Sequence, residues 1–154
     1  MRFLPLALVA ALCGCDDSGE SWSSDGDSSD PLNAWRQACV NRINDYRSSL
    51  GLPAYARWTD AEYCSDSETQ SDSETDNSHG AFGQCGESAQ NECPGRPSYQ
   101  DIIDGCLQMM WDEGPGDFAG HGHYLNMSST SYTRASCGFY ETADGSIWSV
   151  QNFQ

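Results

Sequence analysis

The chain has 154 residues, and its 23 acidic residues against 7 basic ones give a formal net charge of −16. A surface this acidic repels phosphate backbones, so we expect no nucleic-acid partner. The length suits one folded domain behind a short leader.

The first 15 residues predict an export signal, with Arg2 at its positive start, an apolar core over residues 3–12 and the sequence Leu-Cys-Gly-Cys over residues 12–15. The apolar run is about half of the ~20 residues that a membrane-spanning helix needs. The last four residues resemble the lipobox of bacterial lipoproteins, which implies acylation of Cys15 and an extracytoplasmic, membrane-anchored protein of the cell envelope or surface. The alternative is a secreted protein without lipid.

Residues 16–32 are rich in Ser, Asp and Gly and predict a disordered tether, so the folded domain is expected over residues 33–154. An even number of cysteines behind an export signal predicts three disulfides, and the sequence leaves open which of the fifteen pairings forms. A thiolate zinc site is disfavoured because no Cys-x-x-Cys pair is present. The cysteines concerned are Cys39, Cys64, Cys85, Cys93, Cys106 and Cys137.

Helical periodicity predicts a first helix over residues 31–50, capped by Asp30. A capping-box pattern at residues 59–62 begins a second helix, which we expect to be exposed and marginal because its Ser, Asp and Thr side chains compete with the helical backbone. The glycine-rich residues 77–97 predict an irregular loop that forms a site. A third helix is expected over residues 98–113, with Ser98 as a cap.

Alternating apolar residues predict an antiparallel hairpin of residues 135–140 and 147–153, joined by a turn at Asp144-Gly145. Helices followed by a hairpin indicate an α+β fold. Because both faces of the last strand carry apolar residues, we expect the sheet to be covered on both sides, which gives three layers.

The three histidines lie in two glycine-flanked segments: His79 in one, and His121 with His123 in the other. Glycine permits close backbone approach, and an imidazole nitrogen binds a proton or a metal ion. We therefore expect the fold to bring these two segments together with two glutamates.

A set of short motifs spread over residues 35–153 resembles the CAP superfamily, which groups cysteine-rich secretory proteins, antigen 5 and plant pathogenesis-related 1 proteins and is built on the SCP domain. The motifs occur in the family's order: Asn44-Asp45-Tyr46-Arg47, Gly51-Leu52-Pro53, Trp58, His79, Gly86-Glu87, Glu113, Gly122-His123-Tyr124 with Asn126-Met127, Ala135-Ser136-Cys137-Gly138, and the strand over residues 148–153.

The resemblance implies a disulfide-braced, three-layer α-β-α sandwich with a central cleft. It also implies that His79, Glu87, Glu113 and His123 form the family's tetrad, which holds a divalent cation such as zinc. The chain departs from the family pattern in having Ser88 in place of asparagine, Gly80 in place of serine, and His121 as an additional imidazole. We expect His121 at the rim of the cleft and Asn126 as a hydrogen-bonding residue behind the ligands.

Two functions from different classes follow from these residues. The first is a binding module whose cleft holds a cation and an extracellular peptide, glycan or lipid. The second is a metal-dependent hydrolase, in which the tetrad residues are catalytic and one glutamate acts as base. A third possibility is a scaffold that is braced by disulfides and has no working site. In that case Glu87 is an exposed loop acid and Glu113 an ordinary helix-end carboxylate.

Overall fold

The computed structural model describes residues 29–154. The predicted export signal, Cys15 and residues 16–28 of the predicted tether lie outside the described residues. Near the end of that tether, Asp30 contacts the domain through an ion pair of 3.3 Å with Arg36. Within residues 29–154, no helix is both long and apolar enough to cross a membrane.

Helices make up about half of the described chain, and the predicted first and third helices are present. Ser98 caps the third helix as predicted, because its side chain accepts a hydrogen bond of 3.1 Å from the N–H of Asp101. The helices are α1, Asn33–Ser49; α2, Glu62–Thr75; α3, which runs through Tyr99–Asp101, the π-helical Ile102–Cys106 and Leu107–Asp112; and α4, Phe118–Ser128.

Four strands form one sheet with the order β1-β3-β4-β2: β1, Ala56–Arg57; β2, Ala89–Arg96; β3, Arg134–Glu141; and β4, Ile147–Phe153. β1 runs parallel to β3, and the other neighbours are antiparallel. β3 and β4 are the predicted hairpin, so that prediction is confirmed.

The two faces of the sheet are covered by different helices. On one face α1, α3 and α4 form an apolar core with Cys137, Phe139 and Phe153, all nearly inaccessible to solvent. On the other face α2 packs on β3 and β4. The predicted three-layer α-β-α sandwich is confirmed.

The prediction of an exposed, marginal second helix is wrong. α2 buries five polar side chains, and two of them have partners on the sheet: Ser65 Oγ lies 2.8 Å from Ser136 Oγ, and Asn152 donates to Glu68 at 2.6 Å. The predicted capping box is also absent, since Glu62 pairs with Arg57 instead. The buried polar residues of α2 are Glu62, Ser65, Glu68, Thr69 and Asp72.

The prediction of an irregular loop over residues 77–97 is wrong for its second half, which forms β2 and pairs with β4. Pro94, Gly95 and a run of polar residues conceal the strand in the sequence. The polar side chains are satisfied within the fold, as when Asn126 donates to Asn91 at 2.9 Å. Because hydrogen bonds allow these polar side chains to be buried, β2 lacks the alternating apolar residues from which strands are predicted.

The three predicted disulfides form, and each of them joins different elements of the fold. Cys39–Cys137 links α1 to β3, and Cys93–Cys106 links β2 to α3; these four cysteines are buried. Cys64–Cys85 links α2 to the loop before β2, and both of its cysteines are partly exposed. Disulfides of this number are typical of proteins outside the reducing cytosol.

Candidate functional site

A cleft of about 190 Å³ brings together both predicted histidine segments. His79 comes from the loop after α2, and Glu113 lies just after α3, while His123 lies on α4. Three of the four predicted tetrad residues therefore line one cleft. Its full lining is His79, Gln90, Glu113, Phe118, Ala119, Gly120, Gly122, His123 and Asn126.

The position of His79 is set by the end of α2. Asp76 ends the helix in the left-handed region, and His79 also has a positive φ of 61°. Its backbone N–H donates to Glu92 at 2.6 Å, and its ring Nδ1 lies 2.8 Å from the side-chain oxygen of Gln90. Because an amide oxygen only accepts, Nδ1 is the donor of this hydrogen bond, which leaves Nε2 to face another partner.

Glu113 and His123 form a hydrogen-bonded pair at a break in α4. His121 has non-helical angles, so a new helical segment begins after it. The carboxylate of Glu113 accepts from the free N–H groups of His123, at 3.1 Å, and Tyr124, at 3.3 Å, and it lies 2.5 Å from His123 Nδ1. An anion at a helix start is favourable, and here it also orients the imidazole.

His121 and Asn126 were expected at the rim of the cleft and behind its ligands. His121 Nδ1 lies 2.6 Å from the carbonyl oxygen of Glu113, so its ring binds the end of α3, and it is absent from the cleft lining. Asn126 lines the cleft and donates to the Gln90 carbonyl at 3.3 Å. It thereby ties α4 to β2 at the floor of the site.

Glu87 lies beside Glu68 and is absent from the lining of the cleft. It is buried and accepts from the N–H groups of Gly83 and Cys85. Burial, together with the nearby carboxylate of Glu87, raises the pKa of Glu68 to about 7, against hydrogen bonds from Asn152 and the Cys85 N–H that lower it.

Among residues 29–154, one group of three metal-ligand side chains places its ligand atoms within 4.8 Å of one another: Glu68, Cys85 and Glu87. This is a possible metal-binding group. In this structure, however, Cys85 is bonded to Cys64 and offers no thiolate. The group therefore presents two carboxylates that amide donors already occupy.

Sequence reasoning missed Gln90, Glu92 and Glu68. Glu92 is buried beneath His79, with an oxygen 3.8 Å from the ring Nδ1, and burial raises the pKa of Glu92 to about 7. Gln90 and Glu92 lie two residues apart on β2 and therefore share the face toward α2. An assignment of residues 89–96 as a strand would have identified both.

A second, larger cavity of about 420 Å³ adjoins the cleft and is mainly apolar. The two share four lining residues, so they are continuous. Phe118 is 70% exposed and Phe82 is 49% exposed, and both rings line this cavity. Its lining is His79, Phe82, Ser88, Ala89, Gln90, Phe118, Asn126 and Tyr132.

The donor set of the cleft fits a divalent cation. His79 and His123 each engage Nδ1 with a protein oxygen, and neither Nε2 has a hydrogen-bond partner among the described residues. Two such imidazoles, each oriented by a hydrogen bond at the other nitrogen, are the usual arrangement of histidine ligands around zinc. These two residues would hold the ion, and Glu113 and Gln90 would orient them.

Comparisons with known proteins bear on the fold. The crystal structure of Na-ASP-1 is similar, with a TM-score of 0.53 at 14% identity, over 78% of this chain and 38% of that chain. Schistosoma mansoni venom allergen-like protein 4 has a TM-score of 0.48 at 12% identity, over 77% of this chain and 86% of its own. The chain thus spans well under half the length of Na-ASP-1. No curated protein matches the sequence.

A protein-family model identifies the family of this chain, whereas the two structures show only the fold. The model described as "CAP: Cysteine-rich secretory protein family" matches residues 40–153, which is most of the described domain. The match begins within α1 and ends at the last residue of β4. The chain therefore belongs to the CAP family of cysteine-rich secretory proteins.

Proposed function

We propose that this CAP domain is an extracytoplasmic binding module. Its cleft holds a divalent cation, with zinc as the first candidate, on His79 and His123, and the adjoining cavity takes the apolar part of an extracellular ligand. The single observation that carries the proposal is the convergence of His79, Glu113 and His123 on one cleft from three separate segments.

Charge supports the cation part of the proposal. The chain carries a net charge of −16, which concentrates cations near its surface. Imidazole nitrogens then select a borderline cation such as Zn²⁺ over the hard cations Ca²⁺ and Mg²⁺, which prefer oxygen ligands.

The lining of the larger cavity supports an apolar ligand group. Phe82, Phe118 and Tyr132 supply aromatic surface, while Ser88 and Gln90 supply a few polar atoms. Exposed aromatic rings around a concave site gain free energy when a ligand covers them. Among peptide, glycan and lipid, this lining favours a lipid or a peptide with apolar side chains.

The geometry favours binding over the alternative of hydrolysis. A metal-dependent hydrolase needs a carboxylate free to accept a proton from water. The Glu113 carboxylate accepts from the His123 ring and two backbone N–H groups, and Glu87 accepts from two backbone N–H groups beside Glu68. Both carboxylates are engaged, so no specific observation supports the enzyme.

Removing the His123 imidazole should abolish specific Zn²⁺ binding. We expect the oxidised wild-type domain to retain about one equivalent of zinc after dialysis, whereas His123→Ala retains none in the cleft. Glu113→Gln should bind about 10- to 100-fold more weakly, because it loses the group that orients the ring. Isothermal titration with Zn²⁺ and elemental analysis measure both effects.

The acidic surface requires a matched control for this experiment. Asp60→Asn removes one negative charge at an exposed position outside the cleft lining, and it should bind zinc as the wild type does. Wild-type affinity in a folded His123→Ala protein would contradict the proposed cation site.

We also propose that residues 16–32 tether the domain to a membrane through an acylated Cys15. The support is the order of an export signal, a lipobox-like motif and a Ser/Asp/Gly stretch in the sequence. Mass spectrometry of the mature N-terminus should show a lipid-modified Cys15, and Cys15→Ser should release the protein from the membrane fraction. A mature N-terminus without lipid would refute the anchor.

A further inference from the structure

The Cys64–Cys85 disulfide lies beside two glutamates, one on the same segment as each cysteine. Cys64 and Glu68 are four residues apart on α2 and so share a helix face, and Cys85 and Glu87 are two residues apart on the facing loop. The ligand atoms of Glu68, Cys85 and Glu87 lie within 4.8 Å of one another, and Cys64 Sγ is bonded to Cys85 Sγ at 2.04 Å. Three groups that can ligate a metal therefore lie close together, and the sulfur of Cys64 is bonded to one of them.

In the oxidised protein this group is poorly suited to a cation. Disulfide sulfur is a weak ligand, because metal ions bind the thiolate. The two carboxylates are fixed in place by hydrogen bonds, since Asn152 donates to Glu68 at 2.6 Å and the N–H of Cys85 donates to Glu87 at 3.1 Å, so what the oxidised site lacks is the two thiolates.

This disulfide is also the most accessible of the three. Cys64 and Cys85 are partly exposed, whereas Cys39, Cys93 and Cys137 are fully buried and Cys106 nearly so. Thiol–disulfide exchange requires a thiolate to reach a sulfur atom. A reductant should therefore cleave Cys64–Cys85 first while the domain remains folded.

The loop should stay in place after cleavage. The N–H of Cys85 donates to Glu68 at 3.3 Å as well as to Glu87, and the N–H of Ala81 donates to Asp72 on α2 at 2.8 Å. Two thiolates on one Zn²⁺ lie about 3.8 Å apart, given Zn–S bonds of about 2.3 Å. With the two Cα atoms 5.7 Å apart, we expect side-chain rotation to be sufficient to reach that separation.

We propose that reduction of Cys64–Cys85 creates a second metal site, in which two thiolates and the carboxylates of Glu68 and Glu87 bind a zinc-type cation. A dithiol serves as the reductant: its two sulfur atoms become a disulfide, and its two hydrogens pass to Cys64 and Cys85. Both thiol protons leave to solvent as the cation binds. Two soft sulfur ligands select zinc-type ions over calcium and magnesium.

This proposal does not rest on the proposed function of the cleft. None of Cys64, Glu68, Cys85 and Glu87 lines the cleft or the larger cavity. Failure of zinc binding at His79 and His123 would leave it unaffected, and the reverse also holds. A His79→Ala/His123→Ala background removes the cleft donors and isolates the second site.

Cobalt(II) tests the proposal, because thiolate ligands give it a charge-transfer absorption that oxygen and nitrogen ligands do not. We would treat the His79→Ala/His123→Ala domain with a mild dithiol, map the free thiols by alkylation and mass spectrometry, and titrate Co²⁺ without air. We expect label on Cys64 and Cys85 alone, and about one equivalent of Co²⁺ with thiolate and tetrahedral bands. The oxidised protein should show neither band.

Matched variants show whether the carboxylates belong to the site. Glu68→Gln keeps both thiols and should weaken Co²⁺ binding by at least about tenfold, whereas Glu74→Gln removes the same charge from the exposed side of α2 and should change nothing. Equal affinity in Glu68→Gln and wild type would overturn the proposal. So would absent thiolate bands, prior cleavage of another disulfide, or loss of the native near-UV circular dichroism on reduction.

Discussion

Gly138→Ala should destabilise the domain by about 3 kcal/mol or more, although alanine normally suits a strand better than glycine. A Cβ at this position would lie 2.2 Å from the backbone carbon and 2.3 Å from the backbone oxygen of Ser65. Because these are backbone atoms, α2 as a whole must move away from β3. That movement would weaken the Ser65–Ser136 and Glu68–Asn152 hydrogen bonds.

Chemical denaturation measures the loss directly, and thermal unfolding should show a midpoint lower by roughly 10 °C. Gly120→Ala is the matched control, since its Cβ would meet only Asp117 Oδ1 at 3.8 Å and its φ is not positive. That variant should remain within about 1 kcal/mol of wild type. A Gly138→Ala protein as stable as wild type would mean that α2 does not pack directly on the sheet.

The apolar half of the fold could be predicted from the sequence. α1 and α3 show helical spacing of apolar residues, and β3 and β4 show strand alternation around Asp144-Gly145. These elements enclose the core that contains Ile43, Ile102 and Phe153. Periodicity is informative there because burial and apolar character coincide.

The polar half could not be predicted in the same way. Ser65 and Glu68 of α2, Gln90 of β2 and Asn152 of β4 are buried in a network of hydrogen bonds between helix and sheet. A buried polar residue with partners resembles a solvated one in the sequence, because its partners lie far along the chain. The error about α2 and the error about β2 therefore have one cause.

The candidate site likewise has residues that the sequence predicts and contacts that it does not. Glycine-flanked imidazoles and a family resemblance were enough to select His79 and His123, and both line the cleft. The partners of the carboxylates depend on tertiary contacts: Glu113 on the break in α4, and Glu87 on the position of Glu68. Neither contact has a local sequence pattern.

Arg36→Met should destabilise the domain by about 3–5 kcal/mol at pH 8, because it leaves buried carboxylates without their cation. Arg36 is 1% exposed and contacts Asp66 at 2.5 Å, Asp30 at 3.3 Å and Glu62 at 3.4 Å. Glu62 keeps Arg57 as a partner, so most of the loss falls on Asp66. Methionine retains the apolar stem and removes only the charge and its hydrogen bonds.

The stability lost in Arg36→Met should be smaller at low pH, and the direction of this pH dependence follows from the ionisation of Asp66. Burial already raises the pKa of Asp66 to about 6, against a contribution from Arg36 that lowers it. Removing the cation raises this pKa further in the folded state only. A group with a raised folded pKa stabilises below its unfolded pKa of about 4 and loses that contribution as pH rises through the folded value. The deficit should therefore grow from pH 4 to pH 8.

Urea denaturation at pH 4.5 and pH 8 tests this dependence. Arg42→Met is the control, because Arg42 lies on the same helix and pairs with Asp104, but both side chains are substantially exposed. Exposed pairs contribute less than about 1 kcal/mol, so this variant should show a small loss at both pH values. An Arg36→Met deficit that is equally large at pH 4.5 and pH 8 would show that lost packing, and not an uncompensated carboxylate at Asp66, causes the destabilisation.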